Sequence, residues 1–266
     1  MSWPQLVLLG AIAGYTIFLG LPFARIKKVS DSWRIAAGAL SAGVLLFLLI
    51  DVTKQMLAPI EAAVQNLKHG SGELLILGAI ALAGITLSYL GLVFLPQRFS
   101  PESSGATDSA GKSIEANPFR LALLIAIGVG LHNFAEGLAI GQSGASGAIS
   151  LAWLLILGFG LHNMTEGFGI TGPLIGRARP SWKFLTMVGL IGGSPTFLGT
   201  LAGSAYSSQT LAVLFLALAA GSIIFIVQTL VHSGLSSGRT GVFSLGLLAG
   251  LVIGIATDLI IVSAGI

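Results

Sequence analysis

The sequence predicts an all-α membrane protein with eight transmembrane helices, and three observations carry that prediction. Hydrophobic residues make up 54% of the 266 positions and charged residues only 9%, against about a quarter charged in soluble domains. The apolar residues fall into eight runs, each close to the ~20 residues that cross a hydrocarbon core as a helix. Basic residues gather on alternate connections, as the positive-inside rule requires of a multi-pass chain. The 37 glycines suit helices packed closely in lipid. Cysteine is absent, which excludes disulfides, thiolate metal sites and thiol redox chemistry. The formal charge of +3 reflects where basic residues sit relative to the bilayer, and no nucleic-acid partner is implied.

In chain order the spans are Gln5–Ala24, Trp33–Met56, Leu74–Leu95, Phe119–Gly141, Ala148–Thr171, Trp182–Gly203, Gln209–Val231 and Val242–Ser263. The first is expected to be retained. Met1–Gln5 lacks the basic start of a cleaved signal peptide, and Arg25, Lys27 and Lys28 follow the apolar run. An even number of spans puts both termini on one side. With the N-terminus outside, the inner flanks hold Arg25, Lys27, Lys28, Arg34, Arg98, Lys112, Arg120, Arg177, Arg179, Lys183 and Arg239, and the outer side holds Lys54 and Lys68. Eleven against two places both termini on the non-cytoplasmic side of a cell membrane. Residues 1–266 read as one transmembrane domain. Within it Pro96–Pro118, rich in Ser, Gly and acidic residues, reads as a flexible cytoplasmic loop. Pro59–Gly72 reads as an outer loop carrying Glu61 and a solvated His69.

One phrase is written twice. Gly130-Leu131-His132-Asn133-Phe134-Ala135-Glu136-Gly137 returns 30 residues later as Gly160-Leu161-His162-Asn163-Met164-Thr165-Glu166-Gly167. Both copies lie in apolar runs, where an ionisable residue is costly and marks a functional site by default. His and Glu four apart, and Asn and Glu three apart, share one face of a helix. Each copy therefore presents an imidazole, an amide oxygen and a carboxylate together, a donor set suited to divalent first-row cations. Consecutive helices with a short connection pack antiparallel and can turn both faces to one cavity. The two carboxylates also match the charge of one dication. Because the fourth and fifth spans run in opposite directions, His132 lies on the inner side of Glu136 and His162 on the outer side of Glu166. Bridging carboxylates at Glu136 and Glu166 would allow two adjacent ion positions.

These phrases resemble the signature helices of the ZIP family of divalent metal transporters, which carry His-Asn-x-Pro-Glu-Gly in the fourth span and a related pattern in the fifth. The resemblance covers the whole chain in topology and is specific in residues across the fourth and fifth spans. It implies a bundle of three, two and three helices in which the first and last three form an inverted repeat. It also implies alternating access without ATP, with transport into the cytoplasm and His132, Asn133, Glu136, His162, Asn163 and Glu166 as ligands near mid-membrane. Zinc is the foremost substrate; iron, manganese, cobalt and cadmium suit the same donors. No tightly bound cofactor is expected, and a homodimer is compatible with the sequence. The family proline before the glutamate is replaced by Ala135 and Thr165. In the sixth span Thr196, after Pro195, stands where many members carry a glutamate. A hydroxyl is a weak neutral ligand, so a second metal position is expected to be weaker or absent.

Other polar residues in the spans are pathway candidates. Asp51 and Asp258, near the outer ends of the second and eighth spans, could draw cations to the mouth or pair locally with Lys54 and Thr257. Gln228 and His232, four apart at the inner end of the seventh, could receive an ion leaving inward or bond a loop. Against the carrier stand three rivals. A membrane haem protein with His132 and His162 as axial ligands is the alternative, but it leaves Glu136 and Glu166 without a role. An intramembrane metalloprotease lacks its His-Glu-x-x-His motif, and no enzymatic activity is expected. A structural or receptor-like protein would need the duplication to be packing alone.

Overall fold

The structure is a computed structural model that describes residues 2–26, 29–65, 72–98, 117–145, 160, 163–176, 179–206 and 208–263. His69, His162, residues 148–159 of the fifth span, most of the 96–118 linker, and Lys27, Lys28, Lys68, Lys112 and Arg177 lie outside the described residues.

The chain is all-helical and membrane-spanning. The helices are α1 (Trp3–Tyr15), α2 (Asp31–Gln65), α3 (Gly72–Arg98), α4 (Pro118–Ala145), α5 (163–171), α6 (Trp182–Ala205), α7 (Gln209–Leu235) and α8 (Thr240–Ser263). Among the described residues seven segments are long and apolar enough to cross a membrane, counting α1 with the turns that follow it. Polar residues set the starts. The Ser181 and Ser208 hydroxyls accept the Phe184 and Leu211 amides at 3.1 and 3.2 Å, and Asn117 Oδ1 accepts the Phe119 amide at 3.0 Å. Each satisfies an N–H that the first turn leaves open.

Three elements differ from the sequence reading. The expected outer loop from Pro59 is helical to Gln65. Pro59 forfeits one backbone bond, and Glu61, Ala62 and Ala63 are good helix formers that carry the helix on. The expected linker from Pro96 begins later, because α3 runs to Arg98. The first span is not uniform: α1 ends at Tyr15 and tightens into 3-10 turns over Thr16–Leu19 and Leu21–Arg25. Pro22 lacks the N–H that an α-helix would use there.

One end of the bundle is basic. Arg25 donates to the Pro180 carbonyl at 2.7 Å and lies 4.6 Å over the Trp182 ring, and Arg239 donates to the Ser32 hydroxyl. Helix directions follow from glycines at which the backbones meet. A Cβ on Gly43 would strike the Leu247 carbonyl, and one on Gly254 the Phe47 ring, so α2 and α8 run parallel. In the same way α3 runs parallel to α7 and α4 to α6. Gly10 lies against Thr200 and Gly189 against Phe18, so α1 and α6 are antiparallel.

These meetings come in matched pairs. Gly137 faces the Thr196 carbonyl, and Gly167 faces the Ile17 carbonyl. Gly199 faces the Phe134 carbonyl, and Gly20 faces that of Met164. Gly43 meets Leu247 as Gly221 meets Ile85, and Gly246 meets Ala39 as Gly84 meets Ala217. One exchange generates every second contact from the first: α1 with α6, α2 with α7, α3 with α8, α4 with α5. Gly14 and Gly193, each against the other's carbonyl, map onto one another and mark the centre. Since α1 and α6 run oppositely, the first and last three helices form an inverted repeat, the architecture of many carriers.

Candidate metal site

The Gly14–Gly193 crossing lets α1 and α6 touch at mid-span and brings α4 and α5 against them. The phrase residues surround this crossing. His132, Asn133, Glu136, Asn163 and Glu166 are all fully buried or within 1% of it. His132 Nε2 lies 3.1 Å from Glu136 Oε1, the one-face geometry expected from a spacing of four. The Asn133 amide nitrogen donates to Glu166 Oε2 at 3.0 Å, joining the two copies directly, and to the Gly192 carbonyl at 3.0 Å. The Asn163 amide nitrogen donates to the Ala13 carbonyl at 2.8 Å.

The two anchors are related by the same exchange, for Ala13 and Gly192 each precede a glycine of the central crossing. Carbonyls and carboxylates only accept, so each amide must turn its nitrogen to them and its oxygen away. Among the described residues Asn133 Oδ1, Asn163 Oδ1 and Thr196 Oγ1 are buried with no hydrogen-bond partner. Leaving such a group unmet costs ~1–3 kcal/mol. Thr196 sits beside the crossing, near Gly14. Its helix carries Pro195, which cannot supply an N–H to the Ile191 carbonyl.

Among the described residues no three His, Cys, Asp or Glu side chains form a group that could hold an ion by themselves. His132, Glu136 and Glu166 are the ionisable groups present, and neutral oxygens make up the rest of the described donor set. His162 lies outside it.

The other candidates are dispersed. Asp51 is half-buried and accepts from Gln55 four residues on, at 2.7 Å, so its partner is not Lys54. Asp258 is half-buried on α8. The α2–α8 register, in which Gly254 meets Phe47, sets these two aspartates at similar depth at the end away from Arg34. Gln228 faces outward and accepts from the Tyr89 hydroxyl at 2.8 Å, tying α7 to α3. His232 is likewise exposed. Neither joins the central site. Two features escape a sequence reading. The Ser41 hydroxyl on α2 is fully buried, without a hydrogen-bond partner among the described residues, and pressed on Gly172. The carbonyls of Ala13 and Gly192 are backbone groups that no side-chain motif reveals; their signal is the constant offset of 179 between Gly10, Gly14, Gly20 and Gly189, Gly193, Gly199.

No protein-family model matches this chain, and no curated protein is significantly similar to it.

Proposed function

We propose that this protein is a carrier of divalent transition-metal ions of the ZIP kind, with zinc foremost, moving its substrate into the cytoplasm by alternating access. The observation that carries the reading is the pair of asparagines. Each donates to a backbone carbonyl next to the central crossing and leaves a buried oxygen without a partner among the described residues, on the same two helices that bury Glu136 and Glu166. Packing alone needs no acceptor-rich centre in lipid, where an unsatisfied polar atom is expensive. A dication takes oxygen and imidazole donors, and two carboxylates balance its charge. His132, Asn133, Glu136, Asn163, Glu166 and, outside the described residues, His162 supply the ligands. Thr196 adds a weak one.

A cavity of about 340 Å³ at the basic end is lined by Gly172, six residues after Glu166. At the opposite end Gln142 and Ser143, the counterparts of Gly172 and Pro173 in the exchange of repeats, line a second space of about 420 Å³. An approach from each end toward a central site is the arrangement an alternating carrier needs. The positive-inside rule assigns the basic end to the cytoplasm and both termini to the outside of the cell membrane. No observation favours the haem reading, since the Asn133–Glu166 bond joins α4 to α5 one residue from His132.

The test is metal content and uptake across zinc, iron, manganese, cobalt and cadmium in proteoliposomes, wild type beside Glu136→Ala. Uptake of at least one ion that vanishes in the variant is expected. No uptake of any of them by folded wild type would sink the proposal.

A further inference from the structure

We propose a second site, for a phosphate-bearing anion, in the cavity at the basic end. Two guanidiniums from separate elements converge there: Arg34 on the first turn of α2 and Arg239 on the connection to α8. Arg34 places Nη2 2.9 Å from Asp31 Oδ1, one turn back. Its Nε is buried and has no hydrogen-bond partner among the described residues. Arg239 commits one nitrogen to Ser32 and keeps the rest of its fork. Ser233 and Ser236 line the same space, as does Ser237, whose hydroxyl is committed to the Gly234 carbonyl at 2.6 Å. The one carboxylate on the described lining, Asp31, is 64% exposed and offsets one of the two positive charges. Helix α8, 24 residues long, starts immediately after Arg239 and adds the positive end of its dipole at the rim.

A guanidinium fork matches two phosphate oxygens at once, and hydroxyls fill the remaining acceptors. The volume of about 340 Å³ lies in the range of small-ligand pockets. The depth fits a lipid headgroup. Trp33, beside Arg34, is 71% exposed, and Trp182, under Arg25 at the same end, is 59% exposed. Exposed indoles at one level mark the headgroup region, and basic pockets between helices on the cytoplasmic side take up anionic headgroups. An anion held there would offset the positive charge that Asp31 leaves unbalanced. Binding itself does not depend on the carrier reading.

The experiment uses the full chain in neutral detergent. It follows retained phosphatidylglycerol by native mass spectrometry, with phosphatidylcholine as the uncharged comparison and inorganic phosphate as competitor. Wild type should retain phosphatidylglycerol in preference to phosphatidylcholine. Arg34→Gln with Arg239→Gln should weaken retention at least about tenfold, as expected for losing charge-assisted bonds. Gly38→Leu provides a variant with the charges intact, since a Cβ at Gly38 meets only open space and the longer side chain would fill the cavity. It should weaken retention comparably. Displacement by inorganic phosphate assigns the site to phosphate itself, and resistance to it assigns the site to the lipid. Retention unchanged in both variants, or no anion preference in wild type, overturns the proposal. Metal uptake is not a readout, so this inference and the carrier reading can fail separately.

Discussion

The half of the centre built by α4 and α6 and the half built by α5 and α1 share a framework but differ in chemistry. Gly137 rests on the Thr196 carbonyl as Gly167 rests on that of Ile17. Asn133 is anchored on Gly192 as Asn163 is on Ala13. At the contact itself the halves part. The α6 residue is Thr196, with a buried unmet hydroxyl, while its α1 counterpart is the apolar Ile17. One residue earlier the counterparts are Pro195 and Thr16. Helix α6 stays helical through its proline, whereas α1 turns to 3-10 geometry at Thr16. Asn133 also reaches across to Glu166. Backbone packing was duplicated because close crossings in lipid tolerate only small residues. Side-chain oxygen was free to diverge: Thr196 is the counterpart of Ile17, and Thr16 that of Pro195.

The comparison breaks most visibly at the carboxylates. If both halves serve one ion, Glu136→Ala and Glu166→Ala should each lower uptake by at least about a hundredfold, the scale at which even supporting groups of a metal site matter. Transport assays with the two variants side by side decide it. A variant that kept half the wild-type rate would mean that its copy is framework only. The next largest effect is on folding. Gly137→Ala and Gly167→Ala each drive a methyl into a facing carbonyl. Both should cost at least the ~1–3 kcal/mol of an overpacked core, by similar amounts, read as matched falls in melting temperature. Unequal falls would show that the two crossings are not equivalent.

Much of this centre was legible in the sequence because its signals are local. The repeated His-Asn-x-x-Glu-Gly phrase fixed which residues are buried together, and the spacing of four set His132 beside Glu136. Seven of the eight spans were readable from apolar run length, and the loss of Pro59–Gln65 to helix shows where that ruler stops: a run ends where hydropathy falls, a helix where backbone bonding fails. The anchors were not legible as side-chain chemistry, since Ala13 and Gly192 act through carbonyls. The pairing of Asn133 with Glu166 was also hidden, because it spans 33 residues and depends on how α4 and α5 approach. The placement of Gln228 was hidden for a related reason: helical periodicity put it with His232 but could not tell that it meets Tyr89 of α3.

A smaller difference should separate the two amides. Asn133→Asp exchanges a donor for a carboxylate against both Glu166 and the Gly192 carbonyl, whereas Asn163→Asp meets the Ala13 carbonyl. The first should be the more destabilising by about 1–3 kcal/mol, the cost of one additional unmet buried group. Denaturation followed at two temperatures, on protein freed of metal with a chelator, gives that difference. Equal losses would mean that the bridge to Glu166 contributes nothing.

The finest test addresses Thr196, where the halves differ most in kind. Its hydroxyl is buried and makes no hydrogen bond with the described residues, so as packing it is a burden. Thr196→Val keeps the shape and removes the oxygen, bringing the α6 side nearer to Ile17 of the other half. If the hydroxyl serves only structure, the variant should be less stable and transport normally. If it is a weak ligand, the variant should match or exceed the wild-type melting temperature while its apparent affinity for metal falls, by about twofold to tenfold for one neutral donor worth ~0.5–1.5 kcal/mol. Stability and affinity moving in opposite directions is the signature of an oxygen kept for the substrate. Lower stability with unchanged affinity would return Thr196 to the framework.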